Sequence, residues 1–151
     1  MQKLVRSIAF VAAAAALMAA HGPVNNPIDV VVSNGPYVGS YKADASDSYC
    51  MHIGGRDILS ASWQSAKAAG PKTFSLAAID VSNYKGSAAK TANAHVGFGD
   101  PHQKPFVYDL TRMPLTMARN GKVLTLTVQG KTAQGVQLRV TASCGEIEEL
   151  P

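Results

Sequence analysis

The sequence predicts an all-β domain, an antiparallel β-sandwich or flattened barrel of seven to nine short strands stapled by one disulfide. Three observations carry that prediction. Past residue 20 no apolar spacing of three and four residues persists, so no amphipathic helix is expected. Short runs of β-branched, aromatic and small apolar residues recur roughly every 8 to 15 positions, separated by Gly, Pro and Asn. The only two cysteines, Cys50 and Cys144, both fall inside such runs.

The chain begins with a targeting pattern. Lys3 and Arg6 form a basic start, and Ile8 to Met18 make an uncharged apolar stretch. Ala19 and Ala20 supply the small residues a signal peptidase needs, and His21-Gly22-Pro23 ends any helix. Residues 1–20 therefore read as a signal-peptide helix, cleaved after Ala19 or Ala20. An uncleaved anchor fits less well, because the apolar stretch falls short of the roughly 18 residues that span a bilayer. No cysteine adjoins the cleavage site, so amino-terminal lipidation is excluded. Export to the periplasm or the medium is expected, with no transmembrane span in the mature chain. Residues 21–27 read as a linker, 28–145 as the sandwich and 146–151 as an acidic tail expected to fray.

The strands follow in order. Ile28 to Val32 is the first, ended by Asn34-Gly35-Pro36. Tyr37 to Ala43 comes next, then Tyr49 to Ile53, closed by Gly54-Gly55. Ile58 to Trp63 is a short strand or a covering segment, with Trp63 as core cover. Lys67 to Lys72 is a loop, Thr73 to Val81 has strand composition, and Asn83-Tyr84-Lys85-Gly86 turns the chain. Ala88 to Phe98 is a long strand, followed by the Pro- and His-rich loop Gly99 to Pro105. Phe106 to Leu110 and Leu115 to Arg119 read as two further strands, and Asn120-Gly121 as a hairpin turn. Beyond it, Leu124, Leu126 and Val128 alternate with Thr125, Thr127 and Gln129. The last strand sets Leu138, Val140, Ala142 and Cys144 against Gln137, Arg139, Thr141 and Ser143, which points Cys144 into the core.

An isolated cysteine pair in an exported domain is most simply a disulfide, here between Cys50 and Cys144. The staple matters because the core is lean. The chain is 46% hydrophobic, but 16 of those side chains lie in the first 20 residues, leaving a domain rich in alanine and threonine. Charge shifts in the same way. Lys3 and Arg6 supply half of the formal +4, and the +2 that remains is too weak to argue for nucleic acid or an anionic membrane.

Candidate chemistry is sparse. His95, Asp100 and His102 put two imidazoles and a carboxylate within nine residues, and zinc or copper accepts such donors with His52 or water completing the set. The spacing matches no familiar metal signature, and Pro101 separates Asp100 from His102. There is no G-x-S-x-G, no C-x-x-C and no phosphate-cradling glycine loop, and the carboxylates Asp44 and Asp47 lie in loop text rather than as a catalytic pair. No catalysis and no cofactor are expected. Tyr84 and Lys85, at a loop tip, are the candidate binding residues for a protein or glycan partner.

Tyr49-Cys50-Met51-His52-Ile53-Gly54-Gly55 and Val140-Thr141-Ala142-Ser143-Cys144 give the chain, over about residues 40 to 145, a layout that resembles the mycobacterial nineteen-kilodalton lipoprotein antigen type of exported protein. The resemblance implies a surface or secreted β-sandwich, antigenic or adhesive, without catalysis. The missing lipidation cysteine means that membrane anchoring does not carry over. The layout is also similar to that of the periplasmic inhibitors of c-type lysozyme, but their S-G-x-x-Y loop is absent, since 83–89 reads N-Y-K-G-S-A-A. The expectation is thus an exported, non-catalytic binding module; the alternatives are a hydrolase inhibitor and a histidine-based zinc or copper protein.

Overall fold

A computed structural model describes residues 26–67, 70–88 and 90–151; the expected signal peptide and most of the linker lie outside the described residues. Ten strands form: β1 (Ile28–Val32), β2 (Gly39–Lys42), β3 (Tyr49–Ile53), β4 (Ile58–Gln64), β5 (Phe74–Ser82), β6 (Thr91–Phe98), β7 (Phe106–Asn120), β8 (Val123–Lys131), β9 (Gln137–Cys144) and β10 (Glu148–Leu150). A single 3₁₀ turn, Gly54–Arg56, joins β3 to β4, and the described residues contain no α-helix. The strands make one curled sheet in the order β10-β3-β4-β5-β6-β7-β8-β9-β1-β2. Every pairing is antiparallel except β10 with β3, which is parallel and makes the sheet mixed.

The sheet folds over on β7, whose first half pairs with β6 and whose second half pairs with β8. Sequence reading expects two strands here, Phe106–Leu110 and Leu115–Arg119. The structure makes them one because a bulge absorbs the break. Ala94 pairs with Leu110 and Ala92 with Met113, so Thr111 and Arg112 together oppose Asn93. Arg112 takes the left-handed conformation (φ 52°), and its N–H donates to Asn93 Oδ1 at 2.9 Å. One extra residue switches the parity of the inward side chains from Tyr108 and Leu110 to Met113, Leu115 and Met117. The bent strand carries β8, β9, β1 and β2 over the inner face of β3–β6, bringing β5 across from β9 and β1.

Alternation fills the space between the halves. Leu124, Leu126 and Val128 on β8, and Leu138, Val140, Ala142 and Cys144 on β9, are buried as expected. Leu59, Ala61 and Trp63 on β4, Ile79 and Val81 on β5, and Ala94, Val96 and Phe98 on β6 meet them. Cys50 on β3 and Cys144 on β9 are disulfide-bonded with Cα atoms 5.8 Å apart, so the staple joins the two halves. Besides strand ends such as Gly39–Lys42 for the expected Tyr37–Ala43 and Thr91–Phe98 for the expected Ala88–Phe98, two features differ from the sequence reading. The β7–β8 hairpin turns on Gly121 and Lys122, not on Asn120 and Gly121: Asn120 pairs with Val123, and Gly121 takes φ 59° at the first central position, where a type II′ turn favours glycine.

The second correction is the carboxyl end, which does not fray. Ile147 packs against the core, and Glu148–Leu150 adds a strand to the outer edge of β3. Gly54 allows the close approach, since a Cβ there would sit 3.2 Å from the Leu150 carbonyl oxygen. With β10 and the short β2 included, the strand count is ten rather than seven to nine.

Candidate binding surface at the loop end

The two ends of the sandwich are built differently. At the closed end His52 projects inward from β3 and is buried. Its Nδ1 meets Glu149 Oε2 at 2.6 Å, and its Nε2 meets Asp57 Oδ1 at 3.1 Å. Ionised carboxylates only accept, so the ring satisfies both when each nitrogen carries a proton. Asp57 sits just past the 3₁₀ turn in the left-handed conformation (φ 49°) and receives backbone N–H groups from Lys85 (2.9 Å) and Gly86 (3.1 Å). Those backbone donors, Lys85 first, together with His52, hold the Asp57 carboxyl below its ordinary range. Glu149 is lowered by the His52 ring and then by Lys85, whose Nζ lies 2.9 Å from Oε1. The Tyr84 ring stands edge-on to His52 at 5.3 Å. The β3–β4 turn, the β5–β6 turn and the carboxyl tail are thereby tied to one imidazole.

Tyr84 and Lys85, the expected binding pair, are therefore not a free loop tip. Tyr84 is half-buried against the core, and the Lys85 ammonium is paired with Glu149. Tyr84 packs the β5–β6 turn against His52, and Lys85 ties it to the tail.

The expected metal residues are likewise dispersed. His95 faces outward from β6, with Nδ1 2.6 Å from Asp109 Oδ1 and Nε2 3.7 Å from Asp80 Oδ2. Asp100 and His102 lie in the β6–β7 loop, where Asp100 Oδ1 accepts the His102 N–H at 2.9 Å. His52 is on the inner face at the far end. The four do not converge, and the described residues hold no group of three or more His, Cys, Asp or Glu side chains placed to bind a metal ion.

The loop end gathers the β1–β2, β4–β5, β6–β7 and β8–β9 connections, and it gathers the aromatics as well. Tyr37 stacks on Phe98 (centroids 4.2 Å) and on Phe106 (5.2 Å); Phe106 meets Tyr108 edge-on at 4.8 Å. Trp63 stacks on Phe74 at 5.0 Å, and Tyr41 joins Phe74 at 5.3 Å. The outermost members are open to solvent: Phe106 is 41% exposed and the adjoining Val38 is 62% exposed. His102, Gln103 and Lys104, all exposed, precede Phe106 in the β6–β7 loop, and exposed Lys72 lies in the β4–β5 connection at the same end.

Beneath that surface lie Trp63 Nε1, Ser75 Oγ and Tyr108 OH, the buried side-chain polar atoms without a hydrogen-bond partner among the described residues. Burial, then neighbouring Tyr37 and Tyr41, raises the Tyr108 phenol above its ordinary value. Leaving a buried donor unpaired costs about 1–3 kcal/mol, and native proteins carry few such groups. Trp63 and Tyr108 belong to the aromatic cluster, and Ser75 follows Phe74 of that cluster in the chain.

Sequence reading did not single out Phe106 and placed the exposed aromatic at Tyr84; Tyr37, which Phe106 covers, is half-buried against the core. The available signal was local: Tyr37 and Phe106 each follow a proline, Gly35-Pro36-Tyr37 within the β1–β2 turn and Lys104-Pro105-Phe106 at the start of β7. Among the described residues no helix is long and apolar enough to cross a membrane. No protein-family model, curated protein or solved structure matches this chain.

Proposed function

We propose that the chain is an exported, non-catalytic binding module that holds its ligand on the aromatic loop end. The observation that carries this reading is the exposed Phe106, stacked on Tyr37 and edge-on to Tyr108, whose buried hydroxyl has no hydrogen-bond partner among the described residues. An apolar ring face flanked by polar and basic side chains suits a sugar ring, whose C–H face stacks on aromatics while its hydroxyls find donors and acceptors at the rim. Export is supported by the disulfide and by the basic-apolar-small start of the chain. A binding role is favoured over catalysis because His52 and His95 make side-chain hydrogen bonds only to carboxylates and touch no serine nucleophile among the described residues.

The test is retention of the disulfide-bonded protein on a panel of immobilised polysaccharides, with emission from the single Trp63 as a second readout. Retention that Phe106→Ala abolishes, with near-UV circular dichroism unchanged, is the expected result. Absence of retention on any polysaccharide, or equal retention of the variant, overturns it. The inhibitor reading rests on exposed His102, Gln103 and Lys104 at the same end, with Lys104 held at φ 60°. Inhibition of c-type lysozyme by the wild type and not by Lys104→Ala is its signature.

A further inference from the structure

The outer face of the β8–β9–β1 half carries a separate polar groove, lined by Val31, Ser33, Gln129, Gly130, Gln137, Leu138 and Arg139, with a volume of about 450 Å³. We infer that this groove binds the carboxylate of an acidic sugar, with Arg139 as the anchoring residue. Strand register builds it. Gln129, Arg139 and Val31 stand in one row across β8, β9 and β1. Gln137 is two residues from Arg139 on the same face, and its carbonyl accepts the Ser33 N–H at 3.0 Å, which brings Ser33 to the groove's rim. Half-buried Val31 forms an apolar floor between exposed Gln129, Gln137 and Arg139.

Three features point to this ligand. First, Arg139 has no carboxylate partner among the described residues, and the one acid on its face, Asp29, is paired with Lys42. A planar guanidinium without a partner matches a carboxylate through two parallel N–H donors. Second, the neighbours of Arg139 are two carboxamides and a hydroxyl, groups that both donate and accept, as the hydroxyls of a sugar ring require. Third, the two faces of the fold differ in sign. Lys42, Lys131 and Arg139 outnumber Asp29 on this face, whereas the outer face of β5–β7 carries Asp80 and Asp109. Anions are steered to the groove and away from the opposite face. The inference does not depend on the loop-end reading, since it rests on different residues.

The experiment is a calorimetric titration of the disulfide-bonded protein at fixed low salt with oligogalacturonate, with its methyl ester, and with inorganic phosphate. The acid oligosaccharide is expected to bind, its uncharged ester at least tenfold more weakly, and phosphate is expected not to displace it at equal concentration. Arg139→Gln should weaken binding roughly 10- to 100-fold, the worth of hydrogen bonds to a charged group. Arg139→Lys should recover only part of that loss, because it keeps the charge without the fork. Arg56→Gln, on the 3₁₀ turn at the closed end, should change nothing. Absence of binding, equal affinity for acid and ester, displacement by phosphate, or an Arg139→Gln variant of wild-type affinity each overturns the inference. Arg139 is exposed, so its variants are expected to fold, and unchanged Trp63 emission confirms that they do.

Discussion

At the closed end, one imidazole engages two carboxylates, one of which also receives two backbone donors and the other a lysine. At the loop end, an indole N–H and two hydroxyls are buried without partners among the described residues, and the aromatic cluster there is partly open to water. The same curled sheet makes both ends, so strand architecture does not explain the contrast. The closed end spends its polar groups on holding three chain segments together, whereas the loop end leaves these buried groups outside any such network. Functional sites are where a protein carries such local inconsistency, and the stability of the remainder tolerates it.

The largest expected effect is on the staple that closes the sandwich near the His52 end. Cys50→Ser with Cys144→Ser opens a loop of 94 residues, which should lower stability by about 4–5 kcal/mol in the chain-entropy description. Urea unfolding of the oxidised, reduced and double-serine forms measures it. A loss below about 1 kcal/mol would mean that the lean core holds the halves together unaided. Next comes His52→Ala. Removing the ring strips charged hydrogen bonds from Asp57 and Glu149, and the expected cost is about 2–3 kcal/mol. Tyr108→Phe at the other end should lie within about 0.5 kcal/mol of wild type, or stabilise, because it removes a hydroxyl that has no partner among the described residues. Thermal melts of the two variants side by side set the contrast, and equal losses would erase it.

Acid sharpens the comparison further. Asp57 and Glu149 are lowered in the folded protein, so their contribution is full above the unfolded carboxylate values, about 3.9 and 4.3, and is lost as pH falls through the lower folded values. Stability should therefore drop below about pH 4. Glu149→Gln should be less stable than wild type at pH 7, with the gap narrowing by pH 3. A gap that stays constant with pH would show that Glu149 does not hold the tail through its charge. A small loss, above that of Tyr108→Phe and below that of His52→Ala, is expected for Phe106→Ala. Part of that ring already faces water, so the loss should stay near 1 kcal/mol.

Much of the fold was legible because alternation is a local signal. Leu124–Val128 and Leu138–Cys144 each announce one buried and one exposed face, and the parity of the last strand correctly turned Cys144 toward Cys50. The misses come from interactions distant in sequence or from irregular backbone. The β7 bulge depends on Asn93, 19 residues before the Arg112 N–H it receives, although the jump from Leu110 to Met113 in the apolar series marks it. The acidic tail looked solvated because its partners, His52 and Lys85, lie 97 and 64 positions away from Glu149. Of the histidines read as candidate metal ligands, His95 occupies an outer face, His102 a loop and His52 an inner face. The aromatic surface was the hardest to read, since Tyr37 and Phe106 meet only through tertiary structure.

The central claim is that the loop end binds and the closed end holds. It is tested most directly by measuring polysaccharide retention and urea stability together for Phe106→Ala and His52→Ala. The account predicts that Phe106→Ala loses retention with stability nearly intact, while His52→Ala loses stability yet retains ligand under conditions where it is still folded. Retention lost with His52 and kept without Phe106 would contradict it.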